Sequence, residues 1–297
     1  MKTKWSKRLQ FSAVALAALE CAAAQATVVF ANGALPGDAF TNAGASNQGQ
    51  AVGTSGWFYN NVRNSGMAGI DTAYARSGNG SAHLSGSVGP GGASSKADIE
   101  FLAGGTNFGG NNAASGTLGL FSAFSGMQYD WYRSNSSAAT ATQHPALRIL
   151  LDRDGDLSTT NDRGGLVFEG IYNNVTVPTD TWVTSVVSAS TNVWNFGLGL
   201  GFAFDIGSNG YAYDDSLTAW KSYAPMANAV VLGFSAGIGS GWGAFDGAVD
   251  NIGWTIGGQT SNYNFEVQSS ASVPEPGTLA LVAAALLGCY SLRRHMV

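Results

Sequence analysis

Between its two ends, this 297-residue chain is a succession of short runs of β-forming side chains, punctuated by Gly and Asn clusters. The runs are Asp98–Leu102, Leu118–Phe121, Gln128–Tyr132, Ala146–Leu151, Gly165–Tyr172, Thr181–Val187, Ala229–Ser235 and Ala248–Ile256, with shorter candidates at Val28–Phe30 and Trp57–Tyr59. Segments of this length, rich in Val, Ile, Phe, Tyr and Trp and bounded by turn formers, read as strands. The spacing predicts an all-β chain, folded as an antiparallel β-sandwich or jelly roll. In the final run Val249, Asn251 and Gly253 alternate with Asp250, Ile252 and Trp254, which suits a strand near an edge or rim. One short helix is expected after Asp214-Asp215-Ser216, with Leu217, Trp220 and Tyr223 on one face and Pro225 ending it. No repeat of fixed period is present.

The two ends follow a different pattern. Lys2, Lys4, Lys7 and Arg8 precede an apolar stretch from Phe11 to Leu19, and Ala24-Gln25-Ala26 gives the small-x-small pattern that a signal peptidase cuts. Residues 1–26 therefore read as a signal peptide, cut between Ala26 and Thr27. Cys21 follows Glu20, where a lipidation signal would place a small residue, so signal cleavage is the better reading. At the other end, polar residues 269–272 lead into Val273-Pro274-Glu275-Pro276-Gly277. The uncharged stretch Thr278–Leu292 comes next, then Arg293-Arg294. Its 15 residues make a short single membrane helix, and the two arginines favour a cytoplasmic terminus. The expected organisation is 1–26 signal, 27–268 ectodomain and 269–297 terminal signal. A simple tail anchor is the plainer alternative for the last segment.

The order Pro-Glu-Pro, short apolar helix, basic cluster resembles the PEP-CTERM sorting signal. That resemblance implies processing by an exosortase at Pro274-Glu275-Pro276 after a transient hold in the inner membrane. It also implies delivery to the cell surface or extracellular matrix of a Gram-negative bacterium, with a role in exopolysaccharide, biofilm or floc. Gly78–Leu84, Leu150–Leu157, Ser216–Trp220, Gly237–Trp242 and Phe245–Ile252 are similar to blocks of uncharacterised PEP-CTERM ectodomains. Phe245-Asp-Gly-Ala-Val-Asp-Asn251 also resembles the closing strand of jelly-roll carbohydrate-binding modules. This second likeness concerns fold more than ligand.

Charge and cysteine content narrow the function. Residues 27–276 hold 8 Lys or Arg against 18 Asp or Glu, net −10, which repels phosphate backbones and argues against nucleic acid as a partner. Both cysteines, Cys21 and Cys289, lie in the end segments, so the ectodomain has no disulfide, thiolate nucleophile or cysteine metal site.

Several groups could carry chemistry. Asp152, Asp154 and Asp156 alternate, with Asn161 and Asp162 close behind, as oxygen ligands of calcium do. The spacing departs from the EF-hand, since Leu157 holds the glycine position and Arg163 that of the final Glu, and a solvated turn between strands is the plain alternative. Asp246, Asp250 and Asn251 form a weaker oxygen cluster. Gly233-Phe-Ser-Ala-Gly237 fits the nucleophile-elbow string, but no helix former follows and the only later histidine is His295. His83 and His144 lack His or Cys partners at metal spacing. Glu100, Glu169 and Glu266 could join an Asp in a glycosidase pair, which needs two carboxylates about 5–10 Å apart. Gly197–Gly201 and Gly237–Gly241 lack phosphate-loop spacing. Most tryptophans are expected in the core. Trp194 and Trp242, the latter beside Asp246, are the glycan-stacking candidates. The expectation is a non-catalytic exported protein that binds exopolysaccharide, with calcium as the one candidate cofactor. The alternatives are a polysaccharide-active glycosidase or a purely structural, self-assembling surface protein.

Overall fold

The structure is a computed structural model and describes residues 26–87, 94–105 and 110–268. Sixteen strands occur among these residues. They are β1 (Thr27–Ala34), β2 (Phe40–Asn42), β3 (Gln48–Ala51), β4 (Trp57–Arg63), β5 (Gly66–Asp71), β6 (Ser81–Gly86), β7 (Lys96–Leu102) and β8 (Gly119–Leu120). They continue as β9 (Phe124–Arg133), β10 (Ala146–Asp152), β11 (Arg163–Phe168), β12 (Trp182–Val187), β13 (Trp194–Gly197), β14 (Val230–Ile238), β15 (Phe245–Ile256) and β16 (Gln259–Gln268). One helix, α1 (Leu217–Ser222), lies between β13 and β14. Ser216 Oγ caps it by accepting from Ala219 N at 3.1 Å, and Leu217 and Trp220 are its buried side.

The strands form two sheets of eight. The first runs β1-β16-β15-β6-β5-β2, with β9 on the other flank of β15 and β12 outside β9. The second runs β13-β11-β10-β14-β7-β4-β3, with β8 also on β14. This is a two-sheet β-sandwich. Pairing is antiparallel except between β1 and β16, which run parallel with Thr27 opposite Tyr263 and Ala34 opposite Gln268. β1 begins at Thr27, the residue expected to follow signal cleavage.

Aromatic side chains from both sheets fill the space between them. Trp57 of β4 meets Phe265 of β16 edge-on, with ring centres 4.9 Å apart. Phe234 of β14 stacks on Trp254 of β15 at 4.2 Å. Offset and edge-on contacts are the favoured geometries for such rings, and each adds about 0.5–1.5 kcal/mol beyond burial.

Three strand expectations need correction. The run at Ala248–Ile256 is not at an edge: β15 lies inside the first sheet, between β9 and the β6/β16 flank. Val249, Asp250, Ile252 and Trp254 are all buried there. The polar residues that suggested an edge have internal partners, since Asp250 Oδ1 accepts Phe265 N at 2.9 Å. Asn251 adopts φ 50° beside a register shift, so a bulge interrupts the alternation. The run at Leu118–Phe121 makes only the two-residue β8 before a 3₁₀ turn, and that at Gly165–Tyr172 leaves the sheet after Phe168. Six strands, β2, β3, β5, β6, β13 and β16, were not among the expected ones.

The predicted membrane helix at Thr278–Leu292 and most of the signal segment lie outside the described residues, as do Pro274, Glu275, Pro276, Arg293 and Arg294. No helix among the described residues is long and apolar enough to cross a membrane.

Candidate functional site

A strand shows alternate side chains to opposite faces, so cross-strand partners share a face. In the second sheet one such row runs Glu100, Ser235, Arg148, Val167, Trp194, crossing β7, β14, β10, β11 and β13. The neighbouring row of Ile99, Ala236, Leu147 and Phe168 points the other way, into the core. The first row therefore faces out, into a groove of about 430 Å³ whose wall also includes Asn61, Lys96, Asp98, Glu169 and Phe202.

The groove floor is charged and bonded. Asp98 stands two residues before Glu100 on the same face. It meets Lys96 Nζ at 2.9 Å and Arg148 Nη1 at 2.9 Å, and accepts from Asn61 Nδ2 at 2.8 Å. Burial opposes charge on Asp98, but Arg148 and Lys96 outweigh it and hold its carboxyl below the ordinary value. Glu100 has the opposite balance. Burial and the Asp98 charge push its carboxyl up to about 7, against a hydrogen bond from Asn60 Nδ2 at 2.7 Å. Burial, aided by the Arg148 charge, brings the Lys96 ammonium down to about 8. Gly237 sits opposite Asp98, where a Cβ would come within 1.9 Å of Asp98 Oδ1, so this glycine makes room for the ion pairs.

At the β13 end the groove turns aromatic. Trp194 Nε1 donates to Glu169 Oε2 at 3.1 Å, and burial raises the Glu169 carboxyl. The Trp194 ring stands 4.9 Å from Phe202, which is 71% exposed, and 5.9 Å from Tyr213, itself stacked on Tyr172. Large exposed rings beside buried carboxylates, amides and cations offer stacking faces together with hydrogen-bond donors and acceptors.

The other predicted residues fall elsewhere. Trp242 is buried in the main core against Phe245, at 5.4 Å, so its ring belongs to the packing and not to a binding face. Asp246 lies on the outer side of the first sheet. There it binds His83 Nε2 at 2.8 Å through Oδ1 and accepts from the Tyr74 hydroxyl at 2.7 Å through Oδ2. Asp71 takes the other ring nitrogen of His83, at 2.7 Å. Asp246, Asp250 and Asn251 do not converge: Asp250 serves Phe265 N and Ser77 N, while Asn251 donates to Ser77 and Asp130.

Asp152, Asp154 and Asp162 do come together, each offering an oxygen within 4.8 Å of the others. Asp156, predicted with them, stands outside this group, its Oδ1 accepting from Ser158, and Asn161 is exposed at the start of the turn into β11. Ser235, centre of the elbow string, is mid-strand in β14 and binds Arg148 at 3.3 Å. His144 is buried and neutral, because burial lowers its imidazole to about 4; its Nε2 accepts Gly170 N. Among the glutamates, Glu100 and Glu169 share the groove. Glu266 instead accepts from Asn79 N and Asn264 on the first sheet.

Lys96, Asp98, Asn61 and Arg148 were not singled out by sequence. A signal did exist: Lys96-Ala-Asp-Ile-Glu100 and Arg148 put charges inside apolar strand runs, where an unpaired charge would be costly.

No curated protein matches the chain. Residues 272–294 match the PEP-CTERM protein-sorting motif. That motif, closing a chain whose β-sandwich precedes it, marks an exported surface protein sorted by an exosortase.

Proposed function

We propose that the sandwich is a non-catalytic module that binds exopolysaccharide at the surface or in the surrounding matrix, seating sugar units in the groove of the second sheet. A signal peptidase cut before Thr27 and removal of the C-terminal signal would leave the sandwich as the working part. One observation carries the proposal: the paired charges around Glu100, Asp98 and Arg148 run directly into the Trp194–Phe202 ring cluster. Sugars carry hydroxyls that bind such carboxylates, amides and guanidinium groups, and C–H faces that stack on such rings. Binding isotherms of the exported protein against exopolysaccharide from the producing cell test this. Saturable binding is expected, weakened about tenfold or more by Trp194→Ala, since a hot-spot ring is worth about 2 kcal/mol. Absence of saturable binding would refute it.

One observation favours a second function, glycoside hydrolysis. Asp98 and Glu100 are neighbouring carboxyls held in opposite protonation regimes, the arrangement by which one acid stays protonated near neutral pH while its partner stays ionised. Release of reducing ends from polysaccharide, abolished by Glu100→Gln, would establish that activity in place of simple binding.

A further inference from the structure

We infer that the loop between β10 and β11 holds one calcium ion on Asp152, Asp154 and Asp162. Calcium–oxygen distances of about 2.3–2.6 Å put ligands on opposite sides of the ion about 5 Å apart. Oxygens of these three carboxylates all lie within 4.8 Å of one another, a spacing that lets them share one ion.

A second observation, independent of this convergence, points to a missing cation. Asp162 is 1% exposed, and its Oδ1 is buried with no hydrogen-bond partner, while Oδ2 of the same carboxylate accepts Asp154 N at 3.0 Å. A buried carboxylate oxygen left without a donor is costly, and a bound cation removes that cost. The loop backbone keeps the group assembled, with Gly155 N on Asp152 Oδ1 at 2.9 Å.

Charge balance agrees. The Arg163 guanidinium binds Asp152 Oδ2 at 3.1 Å, so three carboxylates face one firmly bound cation and two negative charges remain, as a divalent ion requires. Magnesium, with oxygens at about 2.1 Å and a strong hold on its waters, suits this spread less well than calcium. The ion would tie the end of β10 to the start of β11, which carry Arg148 and Val167 of the groove.

The test uses the exported protein, stripped with a chelator and titrated with CaCl2 or MgCl2 by calorimetry, with melting followed in parallel. One calcium per chain is expected, with a rise in melting temperature that magnesium reproduces weakly. Asp154→Asn, a change at an exposed position, should weaken calcium binding about tenfold or more, since affinity follows the charge of the ligand set. Asp156→Ser should leave binding intact. No calcium uptake up to about 10 mM, beyond the weakest range for extracellular modules, would overturn the inference. Equal loss in Asp154→Asn and Asp156→Ser would also overturn it, because it would mean diffuse attraction to an acidic loop.

Discussion

At the scale of single residues, His83 and Glu100 set opposite faces of the sandwich against pH in staggered windows. Burial alone would lower the His83 imidazole, but Asp246 and Asp71, one on each nitrogen, bring it up to about 9. The folded state thus holds a proton that the unfolded chain releases near 6.5. Its stabilisation is complete below about 6.5 and disappears as pH rises through about 9. Urea unfolding of the wild type should lose about 2–3 kcal/mol across that window, and His83→Gln should flatten that part of the curve. An unchanged slope in His83→Gln would exclude this role. Glu100 works lower on the scale. With its folded carboxyl near 7 against an ordinary 4.5, its contribution is present below about 4.5 and lost as pH passes 7. Glu100→Gln keeps an acceptor for Asn60 and removes the buried charge. The variant should match the wild type at pH 4.5 and exceed it by about 1–3 kcal/mol at pH 8 in the same unfolding assay. Loss of stability at both pH values would contradict it.

At the scale of elements, the groove depends on close contact between β7 and β14. Gly237 has no side chain because Asp98 Oδ1 and the Ala97 carbonyl occupy the space a Cβ would take, at 1.9 and 2.5 Å. Gly237→Ala should destabilise the fold by about 1–3 kcal/mol, as overpacking does. Gly241→Ala, whose Cβ would meet nothing within 4 Å, should be neutral within about 0.5 kcal/mol. Equal effects in denaturant unfolding would show that the contact does not matter. The same elements show why some of the fold was legible in advance. The helix cap at Ser216 and the apolar runs of β7, β10, β12 and β14 are local signals, and the strands formed where the residues indicated. β16 escaped because Tyr263-Asn-Phe-Glu-Val267 mixes core residues with polar ones, Asn264 and Glu266, whose partners Ser77 and Asn79 lie far away in sequence. β5 escaped because Gly66 and Gly69 pack against backbone, and β6 because Ser81, Ala82, Ser85 and Gly86 are small, so few large side chains mark those strands. The groove was legible only in parts. Trp194, Glu100 and Glu169 stood out by residue type. That Asp98 would meet Arg148, 50 residues on, depends on the register of β7, β14 and β10, which no local pattern carries.

At the scale of the whole molecule, the sandwich keeps the strand that leads to the sorting motif and the groove on different sheets. Its first sheet carries β1 and β16 side by side at one edge, so the chain enters beside the strand from which the sorting signal departs. Its second sheet turns a charged and aromatic groove outward, away from the shared core. An exported protein delivered by its C-terminal motif would in this way present the groove to whatever lies outside the cell. Hydrogen exchange of the exported protein, with and without exopolysaccharide, tests this division most directly. Added protection is expected in β7, β10, β11, β13 and β14, centred on Glu100, Arg148 and Trp194. Protection confined to the His83–Asp246 face of the first sheet, or none anywhere, would contradict it.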